Sequence, residues 1–471
     1  MDKLIQNGTL VLPQGQMKGD LLIRAEQIAE IGREIHADLR RTEIIDADGC
    51  LVFPGFVDAH THFQHDDGRY ISPEDFATGG RAALLGGTTT ILNYAAQRRG
   101  ETLAQGLAYW RAAAQGASSC DYGFHMTITE WNQTVSREIE KIADEGVTSF
   151  EADMARDNPR LSDRDLYAIL RRMGELGAVL CCHCENGGIV QALTDALKSK
   201  GKTGPGYYPA AHPEEAETEA VHRLLTIAKL ADEPVNILHL SSAKSLRFVE
   251  EARIRGQEVY AETCPQYLLL DESRYGLPAP LSAIHVLSPP LRGPDDQEAL
   301  WLAVSSGAID TIGSDHRGYN LAAQKDQNLL DFSAIPNGIP GVGHRQVLLY
   351  TYGVAAGRLT PEDMARLLAE NPAKLFGLYP RKGVLAAGSD ADVVLWDPWR
   401  KGFITAGDKL HHVDNTPYEG LPVMGGVRQV YLRGQLVVRG NEVMEKGKGQ
   451  YLVRTPGIRF RKTFAEVGGA K

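Results

Sequence analysis

The stretch CLVFPGFVDAHTHF, residues 50–63, is where the pattern of the chain changes. Before it, LIQNGTLVL and GDLLIRAEQIAEIG alternate around Asn-Gly and Gly-Asp turns and read as short strands. From it to about residue 320, short apolar runs alternate with longer amphipathic segments such as TVSREIEKIADEG and LSDRDLYAILRRMGELG. The runs are GGTTTILNYA, CDYGFHMTIT, GVTSFEADM, GAVLCCHCEN, PVNILHLSS, EVYAETCPQ and AIDTIGSDH, which with LVFPGFVDAHTH make eight strand candidates. Eight strand–helix units predict an α/β fold of the (β/α)8, TIM-like barrel type over residues 53–382. After residue 383 the strand pattern returns in GSDADVVLWDP and GGVRQVYLRGQLVVRGNEV. Residues 1–52 and 383–455 are therefore expected to build one small composite β-domain, with 456–471 as a C-terminal tail.

The 471 residues, 43% hydrophobic, suffice for one large core and a satellite domain. A net charge of −10 argues against a nucleic-acid partner. The first residues carry no basic stretch followed by an apolar core, and no run approaches bilayer length, so neither a secretory signal nor a membrane partner is expected. Six cysteines in so long a chain make no disulfide framework, which points to the cytoplasm.

Chemistry is expected at the carboxyl ends of the barrel strands, where the loops form the mouth. His60 and His62 stand two apart on the first candidate strand and so face one side. Alone, such a pair is ordinary. His183 ends the fifth strand, His239 the sixth and Asp315 the eighth. Together these imidazoles and the carboxylate converge on one mouth, a nitrogen–oxygen donor set that suits zinc, and manganese, iron or nickel less specifically.

At this point the chain resembles a known family. FPGFVDAHTHF, EDFATGGRAALLGGTTT, AETCPQYLLLD, LSPPLR, IPNGIPGV and AGSDADVVLWDP fall in the order found in the amidohydrolase superfamily, in its hydantoinase and dihydropyrimidinase branch. The resemblance covers nearly the whole chain. It implies a hydrolase of non-peptide C–N bonds that opens cyclic amides and imides, with two divalent ions, zinc first and manganese as the alternative. His60, His62 and Asp315 would hold the more buried ion, His183 and His239 the more exposed one. The backbone around Ser288 and Asn337 would hold the cyclic amide. Asp315 would serve as general base and then acid. A homotetramer is also implied.

The pattern breaks in VTSFEADMAR, residues 147–156. The family's metal bridge is a carboxylated lysine, and the resemblance places it at Glu151. Glutamate supplies the carboxylate but is shorter by roughly 3–4 Å, so a single ion is expected if Glu151 cannot bridge. Five residues on, Arg156 replaces a tyrosine of the family. An arginine pairs naturally with a carboxylate, so one alternative is a hydrolase of acidic, carboxylated rings bound through Arg156. Asp66, Asp67 and Asp153 are its alternative partners within the protein. The other alternative is a non-catalytic, hydantoinase-like scaffold or binding protein. Further departures at His212, Gly343 and His344 read as changes at the active-site mouth. Cys181 and Cys184 form a Cys-x-x-Cys inside a strand and read as packing residues. His411 and His412 are expected on the surface.

Overall fold

The computed structural model describes residues 1–461 except 39, 99, 156–160 and 445. The opening stretch is not one strand. Leu51–Pro54 lies in one sheet and Phe56–Thr61 in another, with Gly55 between them. Gly55 passes so close to Thr89 that a Cβ would fall 2.2 Å from its Oγ1. The backbone of the turn between the two sheets thus lies against a neighbouring strand, where only glycine fits.

Eight parallel strands follow one another around the barrel: Phe56–Thr61, Thr88–Ala96, Asp121–Thr127, Ser149–Asp153, Val179–His183, Val235–Ile237, Val259–Thr263 and Thr311–Ile312. Each coincides with one of the apolar runs. The helices between them follow from their sequence. Gln133–Asp144 buries Val135, Ile139 and Ile142, spaced along one face. Asp163–Leu176 starts on a Ser162 capping box and stops at Gly177 in the left-handed region, φ 63°.

Side chains stitch the seam between the first and eighth strands. The buried Arg345 donates to the carbonyls of Val57 and Ile312 at 3.1 and 2.7 Å. Its Nε lies 3.6 Å from Asp58, whose other oxygen accepts from the backbone of His60 and Ser314. The His62 amide donates to the His316 carbonyl at 2.9 Å.

The terminal segments meet in a separate mixed sheet of nine strands. Leu51–Pro54 runs antiparallel to Val393–Phe403 and so joins the two ends of the chain. The sheet's last strand is Glu442–Val443. Beyond it the chain returns to the amino ends of the barrel strands, where Leu452 pairs with Tyr122 and the buried Arg454 donates to Ser149. No described helix is long and apolar enough to cross a membrane.

All six cysteines are free and buried, Cys181 and Cys184 among them. His411 corrects an expectation. His412 is exposed, but His411 is buried, accepts from the Gly343 amide at 3.1 Å and packs against His344 and His316. The segment bends over the barrel flank, so that the His411 ring turns inward while His412 faces out.

Lys382 joins the two sheets electrostatically. Its buried ammonium lies 2.6 Å from Asp121 and 2.8 and 3.0 Å from Asp392 and Asp390. Arg433 adds a second cation at Asp121. Removing one partner of such a cluster leaves buried charge uncompensated, so Lys382→Met should lower stability by about 3–5 kcal/mol. Urea unfolding measures it; a loss below about 1 kcal/mol, the worth of an exposed pair, would mean the carboxylates do not depend on Lys382.

Candidate active site

A cavity of about 730 Å³ opens at the carboxyl ends of the barrel strands. His60, His62, Glu151, His183, His239, Ser288, Asp315 and Asn337 all line it. Arg156 lies outside the described residues. Asp66, Asp67 and Asp153, the alternative partners for that arginine, line the cavity as well.

The donors fall into two facing groups. His60 Nε2, His62 Nε2 and Asp315 Oδ1 lie 3.2–3.4 Å from one another. His183 Nδ1 and His239 Nε2 lie 2.9 Å apart. The His60 and His239 rings are 5.5 Å apart, centre to centre, so the groups adjoin. His239 and Asp315 sit in left-handed backbone, φ 35° and 50°, which costs roughly 1–3 kcal/mol each. The chain turns sharply at both strand exits and so aims these side chains inward.

Two buried carboxylates that the sequence reading passed over set the histidines' orientation. Glu262, on the seventh strand, lies 2.5 Å from His60 Nδ1. Glu185, just past the fifth strand, lies 3.0 Å from His183 Nε2 and 3.0 Å from His212 Nδ1. Each carboxylate accepts a ring N–H and so turns the other nitrogen's lone pair into the cavity. Both glutamates sit in quoted motifs, AETCPQ and CCHCEN; a charged residue within an apolar strand run was the available signal.

The electrostatics follow. Burial alone would lower the His60 pKa, but Glu262 and Asp315 raise it to about 10. Burial works against His183 too, yet Asp153 and Glu185 raise it to about 9. Burial, assisted by Arg317, pushes His62 well below the usual range; burial and His183 do the same to His239. Asp315 is held well below the usual carboxylate range by His60, despite its burial. The field at the two groups with raised pKa values thus favours positive charge. With the outer ring N–H groups donated to Glu262 and Glu185, the inner nitrogens face one another at short range, and a cation shared between them is the species that satisfies them.

Glu151 stands apart. It lines the cavity, but its carboxylate accepts from Thr127 Oγ1 at 2.5 Å, across the ladder that pairs Thr127 with Glu151. Among the described residues, the donor triplet gathered within 4.8 Å is His60, His62 and Asp315. The short side chain ends at its neighbouring strand.

The Ser288 and Asn337 side chains bond to Tyr208, at 2.5 Å from its hydroxyl in each case. Tyr208 also stacks on His212, 4.4 Å between centres. His212 does line the mouth, as expected, held there by Glu185. Gly343 and His344 do not. They line a second cavity of about 320 Å³ between the barrel and the terminal sheet. The seam segment carries them past the strand end to the barrel flank.

The comparisons agree with this geometry. The amidohydrolase family model matches residues 51–437. The chain is 41% identical to a D-hydantoinase of Geobacillus stearothermophilus, over 96% of this chain and 97% of that one. It is 40% identical to a D-phenylhydantoinase of Escherichia coli K12, over 97% and 99%. The crystal structure of a dihydropyrimidinase from Brevibacillus agri superposes with a TM-score of 0.95 at 38% identity, covering 98% of this chain and 100% of that one. The chain belongs to the amidohydrolase family, in its hydantoinase and dihydropyrimidinase branch.

The Glu262–His60 contact generates a prediction. Glu262→Gln keeps the shape but weakens the acceptor, and should lower divalent-metal affinity by roughly tenfold to a hundredfold. Competition against a chromophoric chelator reads this directly; unchanged affinity would leave Glu262 no part in orienting His60.

Proposed function

We propose that this chain is a metal-dependent hydrolase that opens cyclic amides and imides by cleaving a non-peptide C–N bond. The observation that carries the proposal is the pair of facing donor groups whose outer nitrogens are fixed by buried glutamates. A scaffold protein has no use for imidazole lone pairs aimed at one another. The relatives named hydantoinase and dihydropyrimidinase support the same reaction class.

His60, His62 and Asp315 would hold one divalent ion, and His183, His239 and Glu151 a second. Thr127 occupies one Glu151 oxygen and leaves the other for metal. Zinc is the proposed ion, with manganese as the alternative. When bound, such ions lower the pKa of a water towards neutrality and polarise a ring carbonyl. Asp315, ionised by its histidine neighbours, accepts the proton of the attacking water and returns it to the leaving ring nitrogen. The backbone around Ser288 and Asn337 holds the ring amide, while their side chains are tied to Tyr208.

A homotetramer and a cytoplasmic location complete the reading. Exposed Trp399 and Phe403 on the terminal sheet offer apolar surface for assembly, and six free cysteines suit a reducing compartment.

Protein purified without chelator should carry at least one equivalent of divalent metal by elemental analysis, and the loaded protein should open hydantoin-type rings. A chain that stays metal-free after soaking with zinc or manganese, and opens no ring, overturns the proposal. Glu151 makes a separate prediction. A glutamate needs no CO2, so metal reconstitution should be indifferent to bicarbonate, and Glu151→Gln should remove the second equivalent. Unchanged stoichiometry in that variant would exclude Glu151 as a ligand.

A further inference from the structure

We infer that Arg317 is a specificity-determining residue that recognises a carboxylate on the substrate, so that the preferred ring carries an acidic substituent. The inference deepens the hydrolase reading and rests on it.

Arg317 directly follows the Asp315–His316 pair and lines the cavity beside Ser288, Asn337 and Gly338. One guanidinium nitrogen lies 3.2 Å from His62 Nε2, the nitrogen that also faces His60 and Asp315. Its Nε is buried with no hydrogen-bond partner. Among the described residues no carboxylate lies within 4.0 Å of it. The stem is fixed. The Arg317 amide donates to the Ile339 carbonyl at 2.9 Å, and Gly338 packs so closely that a Cβ there would fall 2.6 Å from Arg317 Cβ.

Among the described residues the guanidinium is thus paired with no carboxylate, although Asp315 lies across His62 from it. A metal on His62 Nε2 takes the lone pair that the guanidinium now shares, since one lone pair cannot serve both. The arginine then presents a permanent charge and unfilled N–H donors next to a second cation. Leaving the buried Nε–H unfilled is costly, and the two cations repel one another. A carboxylate placed between ring and Arg317 resolves both problems, because its two oxygens match the guanidinium fork. Such a group hangs from the ring carbon beside the scissile carbonyl, and the cavity of about 730 Å³ has room for the ring and its substituent. Neutral rings leave the guanidinium unfilled.

The test uses carboxymethylhydantoin and its neutral carboxamide, which match in size. The metal-loaded wild type should favour the acid in kcat/KM by roughly tenfold to a hundredfold, the worth of one charge-assisted pair. Arg317→Met should abolish that preference, and Arg317→Lys should keep part of it. Calorimetry with the ring-opened products gives a readout independent of turnover: wild type should bind carbamoyl-aspartate more tightly than carbamoyl-asparagine, and Arg317→Met should bind them alike. If the variant loses both ring activities equally, the guanidinium stabilises charge common to both reactions and the inference fails. It fails too if wild type opens or binds the two forms alike. A protein that binds metal and discriminates the products but opens neither ring refutes the hydrolase reading while upholding Arg317 as the anion receptor.

Discussion

The donor cluster depends on the seam between the first and eighth barrel strands. The eighth strand has only two residues in regular pairing, so a backbone ladder cannot close the barrel there. Arg345 bridges the Val57 and Ile312 carbonyls, and Asp58 ties the His60 and Ser314 amides together. These bonds run through buried groups, where an unmade bond is expensive. They bring the His-x-His of the first strand against Asp315, some 250 residues later in the chain. Without that closure the three donors have no reason to meet.

A second layer then turns proximity into orientation. An imidazole near a metal site is of use only if the right nitrogen points inward. Glu262 and Glu185 impose this on His60 and His183 by accepting the outer N–H. Glu185 also holds His212, whose ring stacks on Tyr208, and Tyr208 in turn bonds to Ser288 and Asn337. The metal-facing and ring-facing sides of the cavity are thus one connected network. Burying these polar groups is tolerable where they bond to one another, as Glu262, Glu185 and Tyr208 do.

Glu151 departs from the family pattern read in the sequence, and Arg317 adds a charge at the mouth that the sequence reading did not single out. Glu151 supplies a carboxylate on a shorter stem, and Thr127 holds one of its oxygens at the strand. Arg317 brings a cation next to His62. Gly343 and His344, which read as part of the same cluster of changes, belong instead to the flank, where His344 packs on His411. The local chemistry of the mouth is therefore altered more narrowly than the sequence implied, and the alterations that remain bear on charge.

Periodicity alone located the eight strands, because alternation of apolar runs with amphipathic helices is a local property written in neighbouring residues. It also located His60, His62, His183, His239 and Asp315, since the end of a barrel strand is a place in the sequence as well as in space. It could not show that Pro54-Gly55 cuts the opening stretch into strands of two different sheets, because that depends on the approach of Thr89. Nor could it assign Glu262, Glu185, Thr127 and Arg317 their tasks. A carboxylate or guanidinium takes its role from the partner it meets, and each of these partners, apart from His183 two residues from Glu185, comes from a distant part of the chain. The sequence determined which elements form and which side chains stand at their ends; the closed barrel decided which of those side chains touch, since contact between distant residues is a property of packing alone.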